Sequence, residues 1–202
     1  MKGLLLKDLY MTGKYCKPYI FIVILFTILS GYTTQVFMHI YPLVFVSMIP
    51  FTLGAYDEKS KWNIYCDTFP VSRKTVVSSR YVLTLIFVGA TLILSIVSYI
   101  VSTFISNGFD ARSYLSIVAM MLLVSFVNTS VILPIYFKFG TEKARIIYMV
   151  GVGATTGITM GVSVGMSDDL TAINPFVWIM ISLALYGLSW IVSINLYENK
   201  EL

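Results

Sequence analysis

The chain has 202 residues, of which 57% are hydrophobic and only 12% charged, with a net charge of +4. A soluble domain carries about 25% charged residues, so this composition argues against a water-soluble core and for a membrane protein. One His and two Cys leave little material for a metal site, and the length leaves no room for a soluble catalytic domain beside membrane segments.

In chain order, residues 2–16 read as an amphipathic helix on the inner leaflet. Its apolar stripe is Leu5, Leu6, Leu9 and Tyr10, with Lys2, Lys7, Asp8 and Lys14 toward water. An elbow follows near Gly13 and Pro18. The first apolar stretch is a full span without a small-residue cleavage site behind it, so no cleavable signal peptide is expected. Between Lys17 and Asp57 there is no Lys, Arg, Asp or Glu for 39 residues. As one helix that run would extend about 58 Å, nearly twice a hydrocarbon core, so it reads as two spans, 18–34 and 37–55.

Residues 56–80 form a charged interruption before the third span. Trp62, Tyr65, Cys66 and Phe69 share one helical stripe over 57–69, and Asp57 and Lys61 stand at i, i+4. Pro70 ends that helix, and Ser72 is placed to cap a second one carrying Arg73, Lys74 and Arg80 toward the membrane. An ordinary amphipathic connector on lipid and a docking element for a partner are both open at this point. Cys16 and Cys66 lack metal or redox spacing and read as reduced thiols.

Four more spans follow, at 81–105, 113–137, 146–166 and 175–197, for a six-span all-α architecture in one transmembrane domain. The fourth span holds Asn128, which could line a pathway or make an interhelical hydrogen bond, and Pro134. The fifth places Gly153, Gly157, Gly161 and Gly165 at four-residue spacing, which points to a close helix crossing inside one subunit or across a dimer. Ser and Thr within the spans are expected to bond their own backbone. Thirteen of the fourteen Lys and Arg fall on one side, all but Arg112, which predicts both termini in the cytoplasm. Tyr19, Tyr56, Tyr81, Tyr136, Tyr148 and Tyr197 would form the inner aromatic belt, and Tyr32, Tyr41, Tyr114 and Trp178 the outer one.

No phosphate loop, zinc-protease motif or nucleophile elbow occurs, so no catalytic residue is assigned. No nucleic-acid partner is expected. The uncharged mid-membrane depth of every span disfavours an ion-coupled carrier.

Over 56–81 the chain resembles the membrane subunit of a type 2 ABC exporter. The carrying residues are Asp57, Glu58, Lys59, Trp62 and Tyr65, then Pro70, Val71, Ser72 and Arg73, with Arg80 and Tyr81 leading into span three. In layout the resemblance covers the whole chain, in the compact bacterial branch that includes exporters of phenol-soluble modulins and antimicrobial peptides. It implies a permease half in the bacterial plasma membrane, paired with a second permease and driven by separate ATPase subunits that hold ATP and Mg. This chain would bind no cofactor itself. The segment at Asp57, Glu58, Lys59, Lys61, Trp62, Tyr65, Phe69, Pro70 and Arg73 would be the ATPase-coupling element. Amphipathic peptides are the implied cargo. A drug or lipid permease of the same build, and a non-transporting scaffold subunit, are the alternatives. The connection between spans five and six is only about eight residues, too short for the re-entrant helices of some relatives.

Overall fold

The computed structural model describes residues 2–32, 36–66, 68, 72–106, 111–165 and 175–199. Among these the chain is all-α, with eight helices: α1 Lys2–Tyr15, α2 Lys17–Ser30, α3 Val36–Lys59, α4 Trp62–Cys66, α5 Arg73–Ser106, α6 Ala111–Phe139, α7 Thr141–Gly165 and α8 Pro175–Glu198. Four of them contain stretches long and apolar enough to cross a membrane: Met38–Lys59, Arg73–Val101, Tyr114–Phe139 and Pro175–Glu198. The helix α2, at 14 residues, is only about 21 Å long and joins α1 through a 77° bend.

The bend sits at Cys16, just before Pro18, whose missing N–H costs nothing in the first turn of α2. Beyond it α1 turns a different face inward from the one its apolar stripe predicts. Asp8 and Thr12 are buried, whereas Leu6, Leu9 and Tyr10 are exposed. Leu5 and Met11 pack on a small cluster of Cys16, Ile49, Leu53 and Leu83. A helix with protein on one side and lipid on the other has two apolar faces, so hydrophobicity alone does not choose between them.

Connections are tighter than the sequence suggests. The basic helix after Ser72 and the third span are one continuous α5 of 34 residues. Ser72 does cap it, its hydroxyl accepting the Thr75 N–H at 3.4 Å. Between α6 and α7 the turn is Gly140 alone, which takes φ +82°, a conformation open to glycine at little cost. Pro42 and Pro50 lie inside α3 and Pro134 inside α6 without ending either helix. In α6 the reason is visible: Pro134 cannot donate to the Ser130 carbonyl one turn earlier, and the Ser189 hydroxyl of α8 donates to it instead at 2.8 Å.

The core is centred on α6, which packs along α8, α3 and α7. Contacts between Phe126 and Tyr186, Ser130 and Ser189, and Phe137 and Tyr197 climb together along both chains, so α6 and α8 run parallel. Four tyrosines assigned to the inner belt are core residues instead: Tyr81, Tyr136, Tyr148 and Tyr197 are buried. Their rings fill interhelical space, and three of their hydroxyls bond a neighbouring helix. Tyr81 bonds Ser189 and Ser193 on α8 at 2.8 and 2.6 Å. Tyr148 donates to the Val44 carbonyl of α3 at 2.8 Å, and Tyr136 to that of Gly54 at 3.4 Å. In lipid such cross-helix bonds supply cohesion that apolar contact alone does not. Most intramembrane threonines bond the carbonyl four residues back, as expected, at Thr27, Thr52, Thr84, Thr91 and Thr129.

Two glycines make this packing testable in opposite directions. A Cβ on Gly54 would lie 2.6 Å from the Tyr136 ring, whereas one on Gly89 meets nothing within 4 Å. Gly54→Ala is expected to destabilise the purified chain by about 1–3 kcal/mol through overpacking. Gly89→Ala should stabilise it by about 0.5–1 kcal/mol through helix propensity. Thermal unfolding in detergent, followed by helical circular dichroism, reads both.

Candidate functional site

The charged segment gathers where α3 ends and α5 begins, and its organising feature is a buried cluster of four charges from three helices. Arg80 of α5 bonds the carboxylate of Asp57 in α3 and lies 3.4 Å from that of Asp8 in α1. Lys7 reaches both Asp57 oxygens at 3.0 Å and Asp8 at 3.3 Å. Asp8, Asp57 and Arg80 are each at least 95% buried. Two acids and two bases cancel, which is what allows the group to sit out of water, since an uncompensated buried charge costs several kcal/mol. Burial pushes the Asp8 carboxyl above the usual carboxylate range, against the opposing pull of Arg80 and Lys7.

This cluster corrects the pairing of Asp57 with Lys61. Asp57 belongs to the last turns of α3 and points inward, while Lys61 is exposed beyond the helix end with φ 56°. An exposed i, i+4 pair is worth only a few tenths of a kcal/mol, too little to draw Asp57 from two buried cations. The single helix expected over 57–69 is likewise two pieces, the end of α3 and the five-residue α4, separated at Ser60 and Lys61.

The neighbouring residues divide by direction. Glu58 reaches across to α7, where its carboxylate accepts the Thr141 N–H at 2.9 Å. An anion at the first turn satisfies an orphan donor and suits the positive end of the helix dipole. Trp62 is half-buried beneath the Lys7 ammonium, which stands 4.4 Å from its ring centroid. Cys66 is buried, and neither cysteine is in a disulfide. Tyr65, Lys59 and Lys61 face outward. Arg73 donates to the Glu198 carbonyl at the end of α8 at 3.3 Å, and the exposed Lys74 stands 3.6 Å from the Glu198 carboxylate. Tyr15 of α1 stacks on Tyr56 of α3 with centroids 4.3 Å apart. Phe69 and Pro70 lie outside the described residues.

Sequence reasoning placed Asp8 in water and treated Lys7 and Arg80 as peripheral, so it missed three of the four cluster members. The available signal was Arg80 itself, a cation a full turn or more inside a helix that continues into an apolar span. Such a residue needs an acidic partner.

Deeper in the bundle, Asn128 is buried, and its Nδ2 has no hydrogen-bond partner among the described residues. Ser125 Oγ and Ser130 Oγ on the same helix are in the same position. These three atoms are the polar capacity of α6. Along α7, a Cβ added to Gly153 or Gly157 would meet nothing within 4 Å, so neither marks a tight crossing inside this chain. The surroundings of Gly161 and Gly165 lie outside what is described. Among the described residues no His, Cys, Asp and Glu group could hold a metal ion.

The charge cluster thus sits where α1, α3 and α5 meet in a bundle of apolar helices. The sequence profile of the ABC-2 family transporter proteins matches residues 3–198, almost the whole chain. The chain belongs to the ABC-2 transporter family. It is therefore a multi-pass permease of an ABC transporter rather than a catalytic subunit. No curated protein and no solved structure matches it.

Two substitutions separate the buried cluster from the exposed pair. Asp57→Asn is expected to cost about 3–5 kcal/mol of stability, because Lys7 and Arg80 lose one of two counter-charges. Lys61→Gln should stay within about 0.5 kcal/mol. Denaturation of the purified chain by increasing sodium dodecyl sulfate, followed by tryptophan fluorescence, ranks them.

Proposed function

We propose that this ABC-2 permease is one half of an exporter in the bacterial plasma membrane, with both termini cytoplasmic. In this reading α2 and α7 join the four long apolar helices as spans, giving six in a single transmembrane domain. The region 1–17 lies on the inner leaflet, where the exposed Leu6, Leu9 and Tyr10 are its lipid-facing stripe. Two such chains form the pathway, and separate cytoplasmic ATPase subunits bind ATP and Mg.

The observation that carries the reading is the mounting of α4. It leaves α3 through a left-handed Lys61, and Lys7 ties it back by standing over Trp62. The short α4 is thereby held against α1, with Tyr65, Lys59 and Lys61 outward. It fits a coupling element whose outer side chains seat in an ATPase groove. Displacement of α4 would be felt by α1 and α5 through the charge cluster, and by α7 through Glu58 at its N-terminus. Four helices would then move together, as rigid-body alternating access requires.

For cargo we favour amphipathic cytolytic or antimicrobial peptides. Support comes from one face of α6, where the buried Asn128 and Ser125 are neutral. Such a lining accepts peptide backbone groups without the electrostatic trap of a buried ion. The stripe at Gly153, Gly157, Gly161 and Gly165 is assigned to the contact between the two permease copies. The room beyond Gly153 and Gly157 supports this, since a second helix can approach there without displacing anything in this chain.

Purification of the tagged chain from its host in mild detergent is the direct test. A soluble ATPase in near one-to-one ratio is expected, retained by Lys74→Gln and lost with Tyr65→Ala while the permease itself stays folded. Recovery of folded permease without any ATPase would refute the reading. Gly157→Leu should halve the oligomer mass by light scattering with no change in thermal stability, because the new side chain points away from its own bundle.

A further inference from the structure

Outside the coupling region, one groove stands on the surface of the bundle between α6 and α8. It has a volume of about 310 Å³ and is lined by Val127, Ser130, Val131 and Pro134 on one side, and Leu185, Leu188, Ser189 and Val192 on the other. Its origin is local. Proline carries no N–H, so the two helices are joined at this level by Ser189 bonding the Ser130 carbonyl beneath the groove floor. The walls are aliphatic, and Val131, Leu188 and Val192 are 46–61% exposed, so the groove opens sideways out of the bundle.

Depth and charge define what fits it. Counting from the C-terminal ends of α6 and α8, at Phe139 and Glu198, the lining runs from about 8 Å to about 20 Å inward. That interval is the acyl region of one leaflet in a bilayer with a hydrocarbon core of about 30 Å. The α6 stripe Val127, Val131, Pro134 continues at the same helical spacing to Lys138, one turn further toward the helix end. The α8 stripe Leu185, Leu188, Val192 continues likewise to Asn195. Both are exposed, and both lie in the last turn of their helices. Lys138 presents its ammonium beside the Phe139 ring, 5.1 Å from the centroid. Among the described residues, the acidic side chain that ends α8, Glu198, stands 3.6 Å from Lys74.

We propose that the α6–α8 groove is a binding site for an anionic phospholipid of the leaflet at the basic end. One acyl chain lies between Val131, Pro134, Leu188 and Val192. The phosphate sits at Lys138 with Asn195 as a hydrogen-bond donor. Because the floor of the groove carries the Pro134–Ser130–Ser189 junction, an occupied groove holds α6 and α8 at a fixed spacing. The site requires only that the chain spans a membrane, and it stands or falls independently of the ATPase partner and of the cargo.

The test is native mass spectrometry of the full chain, purified in non-ionic detergent and incubated with phosphatidylglycerol or phosphatidylcholine of identical acyl chains. The unaltered chain should retain about one phosphatidylglycerol per copy, with roughly fivefold preference over phosphatidylcholine, the effect of one cation at the surface. Lys138→Gln, an exposed change that leaves packing alone, should remove the preference. Val131→Trp, which fills the groove from its open side, should lower retention of both lipids, with unchanged circular dichroism. Equal retention of the two lipids by the unaltered chain, or an intact preference in Lys138→Gln, overturns the proposal. So does undiminished retention in Val131→Trp. Retention of a cationic amphipathic peptide in place of lipid, abolished by Val131→Trp, would instead assign the groove to cargo.

Discussion

Everything at the basic end of this permease depends on neutralising Arg80. A guanidinium buried within a helix that continues into hydrocarbon is untenable alone, and its counter-charges come from two other helices, Asp57 of α3 and Asp8 of α1. Lys7 balances the second carboxylate and in doing so brings Trp62, and with it α4, against the same cluster. Three helices and the interrupted segment are thereby held at one point. Replacing the cluster with apolar side chains of similar volume could be as stable. Charges, however, specify partners and register, which a greasy contact at the membrane surface would not.

A second tier of polar contacts extends that point across the bundle. Glu58 leaves the α3 terminus in the opposite direction and holds the first N–H of α7, beside a glycine whose missing side chain makes room for it. Arg73, one turn ahead of Val77 in α5, holds the last turn of α8. Further inward, tyrosine hydroxyls replace charges: Tyr148 bonds α3, and Tyr81 bonds two serines of α8. The progression from ion cluster to carboxylate cap to neutral hydroxyl follows the falling tolerance for charge with depth.

The same gradient explains how motion imposed at the charged segment after α3 would reach the spans. The segment is short, but its attachments are to helix ends, and helix ends transmit displacement along rigid rods. The α6–α8 pair is tied to this network by the Tyr81–Ser189 seam, the Arg73–Glu198 bond and the Tyr136–Gly54 bond, and is closed by its own Ser189–Ser130 bond. It is the part of the bundle whose spacing lipid in the flanking groove is positioned to influence.

The membrane class, the place of the charged interruption and the Ser72 cap were legible in the sequence, because each rests on local quantities. Transfer energy is paid residue by residue, and capping is decided within four positions. The charged segment could be located, but its inward and outward sides could not. Asp57, Glu58 and Trp62 lie within six positions of one another in the sequence, yet one is buried, one caps a distant helix and one lies under a lysine. Which tyrosines are core and which are belt was equally closed to pattern reading, since in lipid both faces of a helix are apolar and periodicity loses its meaning. The membrane class and the place of the charged interruption were determined by the sequence itself. The cross-helix partners of the buried polar groups, from Arg80 to the carbonyl that Pro134 leaves open, were decided only in the tertiary structure, because those partners lie tens of residues away and are selected by proximity alone.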